Sequence, residues 1–186
     1  QDIRSQVTRL ASLTNDLIYL SRMEEQQHQL QTIDLPFSEL VEETARSFQT
    51  LAKTQGKEYS IRIHPMLSVR GDEKALRQLV SILLDNAVKY SPPGGNISLS
   101  LDRQGKSVRL LVENSVEQIS ADTLEHMFDR FYRADQSRNS QTGGYGIGLS
   151  VARAVVAAHR GKITAFSKNP DSISILAVFP SAIKGK

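Results

Sequence analysis

From residue 33 to residue 180 the apolar residues keep changing their repeat, from every third or fourth position to every second and back, and the two-residue repeats come mostly in succession. This order is the strongest constraint on the fold. Strands that follow one another as hairpins, with long helices between the groups, suit a two-layer sandwich of the α/β (α+β) class, a mixed sheet covered by helices. They do not suit a doubly wound dinucleotide fold, in which single strands and helices alternate.

The individual segments read as follows. Ile33 to Phe37 is a short strand, and Ser38 caps a helix carrying Leu40, Val41, Ala45, Phe48 and Leu51 until Gly56 stops it. A strand pair comes next, with Tyr59, Ile61 and Ile63 alternating and then Leu67 and Val69. Asp72 caps a long helix whose apolar face is Leu76, Leu79, Val80, Leu83, Ala87 and Val88, ended by Pro92-Pro93-Gly94-Gly95. Ile97, Leu99 and Leu101 then pair with Val108, Leu110 and Val112 across a Gln104-Gly105 turn. A short helical stretch covers Asp122 to Phe128, and a further helix runs from near Gly146, with Ile147, Val151, Val155 and Ala158 on one face, to Gly161. Strands at Ile163 to Phe166 and Ile173 to Phe179 close the chain. The segment from Ala134 to Thr142 has almost no apolar anchor and reads as a lid that a ligand would order.

Ahead of this globular part, Ile3, Leu10, Leu13, Leu17 and Leu20 follow seven-residue spacing with no Gly or Pro among them. A single narrow stripe cannot bury itself, so residues 1–27 are expected to form a long coiled-coil-type helix that needs partner helices from elsewhere. Residues 28–32 serve as a linker and 33–186 as one domain. The chain starts at Gln1 without a methionine and reads as a piece of something longer. Its 23 Lys+Arg nearly balance 20 Asp+Glu, and no basic run is present, which argues against a nucleic-acid partner. The absence of cysteine excludes disulfides, thiolate metal sites and thiol nucleophiles.

Two stretches carry the chemistry. Near the end of the long helix, Asn86, Lys89 and Tyr90 set a carboxamide, a cation and an aromatic ring along one side, groups that suit magnesium, phosphate and adenine. Gly143-Gly144-Tyr145-Gly146-Ile147-Gly148-Leu149 is a glycine-dense loop running into a helix, where backbone N–H groups and the helix N-terminus favour phosphate.

In this order the motifs make the chain similar to the ATP-binding catalytic domain of two-component sensor histidine kinases, within the gyrase, chaperone, kinase and mismatch-repair ATPase group. Leu83 to Tyr90 resembles the family's N box, Phe128-Asp129-Arg130-Phe131-Tyr132-Arg133 its F box, and Gly143 to Leu149 its glycine-rich G2 box. The opening helix, ending Leu17-Ile18-Tyr19-Leu20-Ser21-Arg22-Met23, resembles the second helix of that family's dimerisation and phosphotransfer hairpin.

The resemblance implies Mg²⁺ on Asn86, phosphate on Lys89 and the nucleotide against Tyr90. It implies phosphate-charge stabilisation by Arg133 and Arg130 from the lid side, with an ion pair from Arg130 to Asp129 or Glu125 as the other reading. Gly144, Tyr145, Gly146, Ile147, Gly148 and Leu149 would complete the ATP site, and Phe128 and Phe131 would anchor the base of the lid in the core. One motif departs from the family pattern. Where relatives carry Asp-x-Gly-x-Gly, this chain has Asn114-Ser115-Val116-Glu117-Gln118 before Ile119, so adenine recognition falls to a neutral amide at Asn114, with Ile119 beside it; the other reading of Asn114 is a strand-end turn residue.

The same resemblance implies transfer of the γ-phosphoryl group to a histidine on a hairpin of the parent kinase, then relay to a response regulator. The parent would be a membrane-anchored homodimer with this part facing the cytoplasm. Ile82 stands where ATP-hydrolysing members of the group place a water-orienting glutamate, which favours transfer over hydrolysis. None of His28, His64, His126 and His159 has the acceptor's context, and each reads as structural or solvated. The competing functions are a serine-directed kinase of the anti-sigma type, disfavoured by the opening helix and the F box, and a degenerate regulatory or dimerisation scaffold, motivated by Asn114.

Overall fold

A computed structural model of the chain describes residues 3, 7, 11, 14, 18, 21, 32–132 and 146–182. The six described residues of the opening stretch are helical and exposed, which leaves the coiled-coil packing an expectation. The domain then runs β1 (Ile33–Pro36), α1 (Phe37–Thr54), β2 (Glu58–Ile63), β3 (Ser68–Gly71), α2 (Glu73–Tyr90), β4 (Asn96–Gln104), β5 (Ser107–Ser115), α3 (Ala121–His126), α4 (Gly148–Ala158), β6 (Lys162–Phe166) and β7 (Ser172–Pro180).

The five-stranded sheet has the order β2-β4-β5-β7-β6. β2 lies parallel to β4 and every other neighbour is antiparallel, so the sheet is mixed as expected. Alternation decides which face is covered: Ile97, Leu99 and Leu101 of β4, Val108, Leu110 and Val112 of β5, and Ile173, Ile175, Ala177 and Phe179 of β7 are all buried beneath the helices. α2 contributes Leu76, Leu79, Val80, Leu83, Leu84 and Val88 to that core, and Phe37 of α1 meets Phe179 edge to face at 5.5 Å between ring centroids.

Two local expectations are corrected. The strand pair expected from Tyr59 to Val69 splits: β2 joins the large sheet, whereas β3 pairs with β1 in a separate two-stranded sheet. Alternation reports burial, not partners, and the intervening turn swings β3 out of reach of β2. Ser38 is not a helix cap either. α1 starts after Pro36 without a side-chain cap, and Ser38 is buried, donating through Oγ to the His64 carbonyl and accepting from Leu67 N–H, which ties α1 to the β2–β3 connection. Asp72, by contrast, caps α2 through Ala75 N–H at 2.9 Å.

The remote ends of α2 and α4 are joined by His159. Its ring is buried, donates from Nδ1 to the Val155 carbonyl at 2.7 Å and accepts at Nε2 from Asp72 N–H at 3.0 Å. Those two bonds require the neutral ring, and burial pushes its pKa below the ordinary histidine value against the opposing pull of the Val155 carbonyl and Asp72. A histidine depressed in the folded state binds more protons when unfolded, so its stabilisation is complete above a pH of about 6.5 and lost as the pH falls through the folded value. Exposed His126, raised chiefly by its hydrogen bond to Asp129, has the opposite slope. Urea midpoints should therefore fall on acidification below neutrality, and His159→Gln should flatten that fall; an unchanged profile in the variant would refute the assignment.

Candidate nucleotide site

The described candidate residues gather at one end of the sheet, because α2 ends there, β5 ends there, and α4 begins there before β6 returns to it. On α2, Ile82, Asn86 and Lys89 fall at helical spacing on one face. A Cβ built on Gly148 would lie 3.6 Å from Cγ2 of Ile82, an ordinary contact, so the first turn of α4 packs one turn before Asn86. The start of α4 and the Asn86 face are thereby neighbours. Asn86 and Lys89 are partly buried and Tyr90 exposed, and the Lys89 ammonium stands 5.6 Å from the Tyr90 ring centroid. No hydrogen bond engages the Asn86 side chain among the described residues.

Gly146 has φ +71°, and a Cβ there would sit 2.6 Å from the Tyr132 carbonyl oxygen. Phe131 N–H donates to the Gly146 carbonyl at 2.9 Å, so the two ends flanking residues 133–145 are tied together at their base. Arg133, Gly143, Gly144 and Tyr145, and the lid from 134 to 142, lie outside the described residues. Ile147 is buried, capping α4 with its backbone, and Leu149 packs against the core.

The base of the lid departs from expectation in one respect. Phe128 is buried, but Phe131 is 60% exposed with φ +63°, so it anchors nothing in the core. The positive φ needed to meet Gly146 turns its ring outward. Arg130 is exposed, and the Asp129 carboxylate is occupied by His126 at 2.9 Å and Arg153 at 3.3 Å, which holds its pKa below the usual range. Tyr132 donates to Asp122 at 2.8 Å, closing a polar brace from α3 to α4.

Asn114 lies within the β5 ladder, opposite Ile97 and Ile173, and is not a turn residue. It is buried, and its Nδ2 donates to the Ser115 carbonyl at 2.8 Å. The departing chain is held by Val116 N–H to Asp171 and Ile119 N–H to Pro170, and Ile119 is partly buried against the core. These two amide bonds show what replaces the missing glycines: an extended path pinned to the β6–β7 turn.

Sequence reasoning missed Lys57. Its side chain is buried, its Nζ donates to Gln55 and to the Val88 carbonyl, and burial lowers its pKa. It places a cation on the carbonyl end of α2, where the helix dipole favours one, directly behind Lys89 and Tyr90. Nothing in the local pattern marks it, since the contact spans thirty-one positions. Among the described residues no group of three or more His, Asp or Glu is arranged to hold a metal ion, and no helix is long and apolar enough to cross a membrane.

Comparison with known proteins agrees with this geometry. Residues 71–182 match the family described as histidine kinase-, DNA gyrase B- and HSP90-like ATPases. The probable sensor protein PcoS of Escherichia coli is 36% identical over 160 residues, 86% of this chain and 34% of its own. The signal transduction histidine-protein kinase BaeS of Escherichia coli K12 is 32% identical over 178 residues, 96% of this chain and 38% of its own. The chain thus spans little more than a third of these relatives' length. Full-length ShkA, solved in complex with AMPPNP, superposes with a TM-score of 0.79 at 24% identity, covering 98% of this chain and 40% of that one. With the family matched over more than half of its length, and with sensor kinases as its relatives, this chain belongs to the histidine kinase-, DNA gyrase B- and HSP90-like ATPase family as an ATP-binding catalytic domain of the sensor-kinase kind.

Proposed function

We propose that this domain binds Mg-ATP between the Asn86 face of α2 and the first turn of α4 and passes the γ-phosphoryl group to a histidine on the dimerisation hairpin of a longer, homodimeric, membrane-anchored kinase, for relay to a response regulator. In that protein residues 1–27 are the hairpin's second helix, 28–32 a linker, and 33–186 the catalytic domain in the cytoplasm. The observation that carries the reading is the packing of Gly148 on Ile82, which sets the first turn of α4 one helical turn from Asn86 and two from Lys89. Phosphoryl transfer depends on alignment and charge stabilisation, and these groups supply both.

The residues fit the ion and the nucleotide. Asn86 offers a side-chain oxygen without a described partner, the donor type that a hard cation takes alongside phosphate oxygens. Mg²⁺, when bound, neutralises charge on the phosphates; Asn86 orients it, Lys89 and the amides of Gly146 to Leu149, with Gly144 and Tyr145 before them, bind the phosphate tail, and Tyr90, Asn114 and Ile119 position the base. Arg133 and Arg130 stabilise phosphate charge from the lid. Ile82 is apolar, so that position offers no carboxylate to activate water, which favours transfer to the protein acceptor over hydrolysis.

Calorimetric titration with a non-hydrolysable ATP analogue is expected to show saturable, Mg²⁺-dependent binding that Asn86→Asp weakens at least about tenfold, a loss of about 1.4 kcal/mol. Equal affinity in the two proteins would refute the site. Transfer of label from ATP to a separately supplied hairpin carrying the acceptor histidine would then test the reaction itself.

A further inference from the structure

β2 is an edge strand, and among the described residues no other strand pairs with its outer side. Glu58 N–H and His64 N–H donate to Gly95 and Leu101 along β4, so in this parallel ladder the even-numbered residues turn their backbone groups inward. Tyr59, Ile61 and Ile63 therefore present N–H and C=O to the outside. Their side chains, only partly buried, form the floor of a cleft of about 500 Å³ walled by Glu42, Arg46 and Gln49 of α1. None of these residues belongs to the nucleotide site.

The charges on this strand are unlike those further into the sheet. Asp102 pairs with Arg109 at 2.7 Å and Glu113 with Lys168 at 2.7 Å, each within the chain. Glu58 and Arg62 are exposed on the uncovered face, and neither makes an ion pair among the described residues. Their spacing is self-complementary. In an antiparallel pairing of two copies about Ser60, each Glu58 stands opposite the other copy's Arg62, and each Tyr59 opposite the other's Ile61 on the cleft side. Tyr59 and Ile61 are the residues whose backbone groups are free to form the hydrogen-bonded pairs, and Ser60 falls on a non-hydrogen-bonded position, where opposite Cα atoms lie about 4.5 Å apart. The neighbouring symmetric register, about Ile61, sets Arg62 opposite Ser60, and the Glu58–Arg62 match is lost.

We propose that β2 is a self-association edge, pairing antiparallel with β2 of a second copy of this chain about Ser60 to continue the sheet across two molecules. Cross-strand ion pairs and apolar pairs select the register, and the cleft floor is covered by the second Tyr59 and Ile61. The contact is small, so association is weak and depends on concentration.

The chain has no cysteine, which makes the test clean. In the full chain, Ser60→Cys under mild oxidation should give a covalent dimer as the main product, since the expected Cα separation lies within disulfide range. Lys106→Cys, exposed at the β4–β5 turn, should stay monomeric. Failure of Ser60→Cys to cross-link, or equal cross-linking of Lys106→Cys, would overturn the proposal. Glu58→Arg and Arg62→Glu should each slow Ser60→Cys cross-linking by about tenfold through like-charge opposition, and the double swap should restore it. A double swap that fails to restore it, with thermal melting unchanged, would also overturn the register.

Discussion

Gly146→Ala should lose about 2–5 kcal/mol of stability and most of its nucleotide affinity. The native φ of +71° is one that an L-residue adopts at a cost of about 1–2 kcal/mol. The new methyl group would also stand 2.6 Å from the Tyr132 carbonyl oxygen and 2.9 Å from the Phe131 carbonyl carbon. Both are backbone atoms and cannot swing aside, so overpacking adds about 1–3 kcal/mol. Relief requires residues 131–132 to move away, which breaks the Phe131 N–H bond to Gly146 and parts the two ends that flank residues 133–145. Guanidinium unfolding and analogue titration would read the two losses separately. Gly148→Ala is the control: its Cβ would make only a 3.6 Å contact, its φ is ordinary, and it starts a helix, so stability should hold or rise by about 0.5 kcal/mol. If both alanines behaved alike, conformational constraint at Gly146 would not be what shapes this loop.

Gly71→Ala is the second large effect, and it lies at the opposite end of the molecule. A Cβ there would meet His159 Cδ2 at 2.5 Å, His159 Nε2 at 2.8 Å and Leu76 Cδ1 at 2.8 Å. Leu76 has rotamers to spare, but the His159 ring is held by Val155 on one side and Asp72 on the other. Driving it out loses the ring's bond to the Val155 carbonyl, which keeps its bond from His159 N–H, at about 0.5–1.5 kcal/mol, and strands the Asp72 N–H at about 1–3 kcal/mol, for a total of about 1.5–4.5 kcal/mol. The variant should also lose the acid-side fall in stability, because a displaced, solvated ring titrates alike in both states. A full-strength fall in Gly71→Ala would show that the ring had not moved. Since α2 leads from this contact to Asn86 and Lys89, loosening it tests whether the helix pair acts as one rigid frame.

The β4–β5 hairpin, the apolar face of α2 and the Asp72 cap were legible in the sequence because each is local: a helix face, a turn and a cap are decided by residues within a few positions of one another. The family was legible for the same reason, since the stretches that resemble its N box and its glycine-rich box are each contiguous in the sequence. What neighbours them was not. Alternation along Tyr59 to Val69 could not say that β2 and β3 enter different sheets, and a serine before a helix looks like a cap whether or not, as at Ser38, it serves His64 and Leu67 instead. Phe131 reads as core in any apolar count, yet a backbone conformation imposed by Gly146 turns it to solvent. The buried placements of Lys57, His159 and Asn114 were equally out of reach, because each is fixed by partners brought together only when the helices pack on the sheet. The residue pattern determined which elements form and which chemical groups they carry; packing alone decided which of those groups meet, since burial is paid back only by contacts between distant segments.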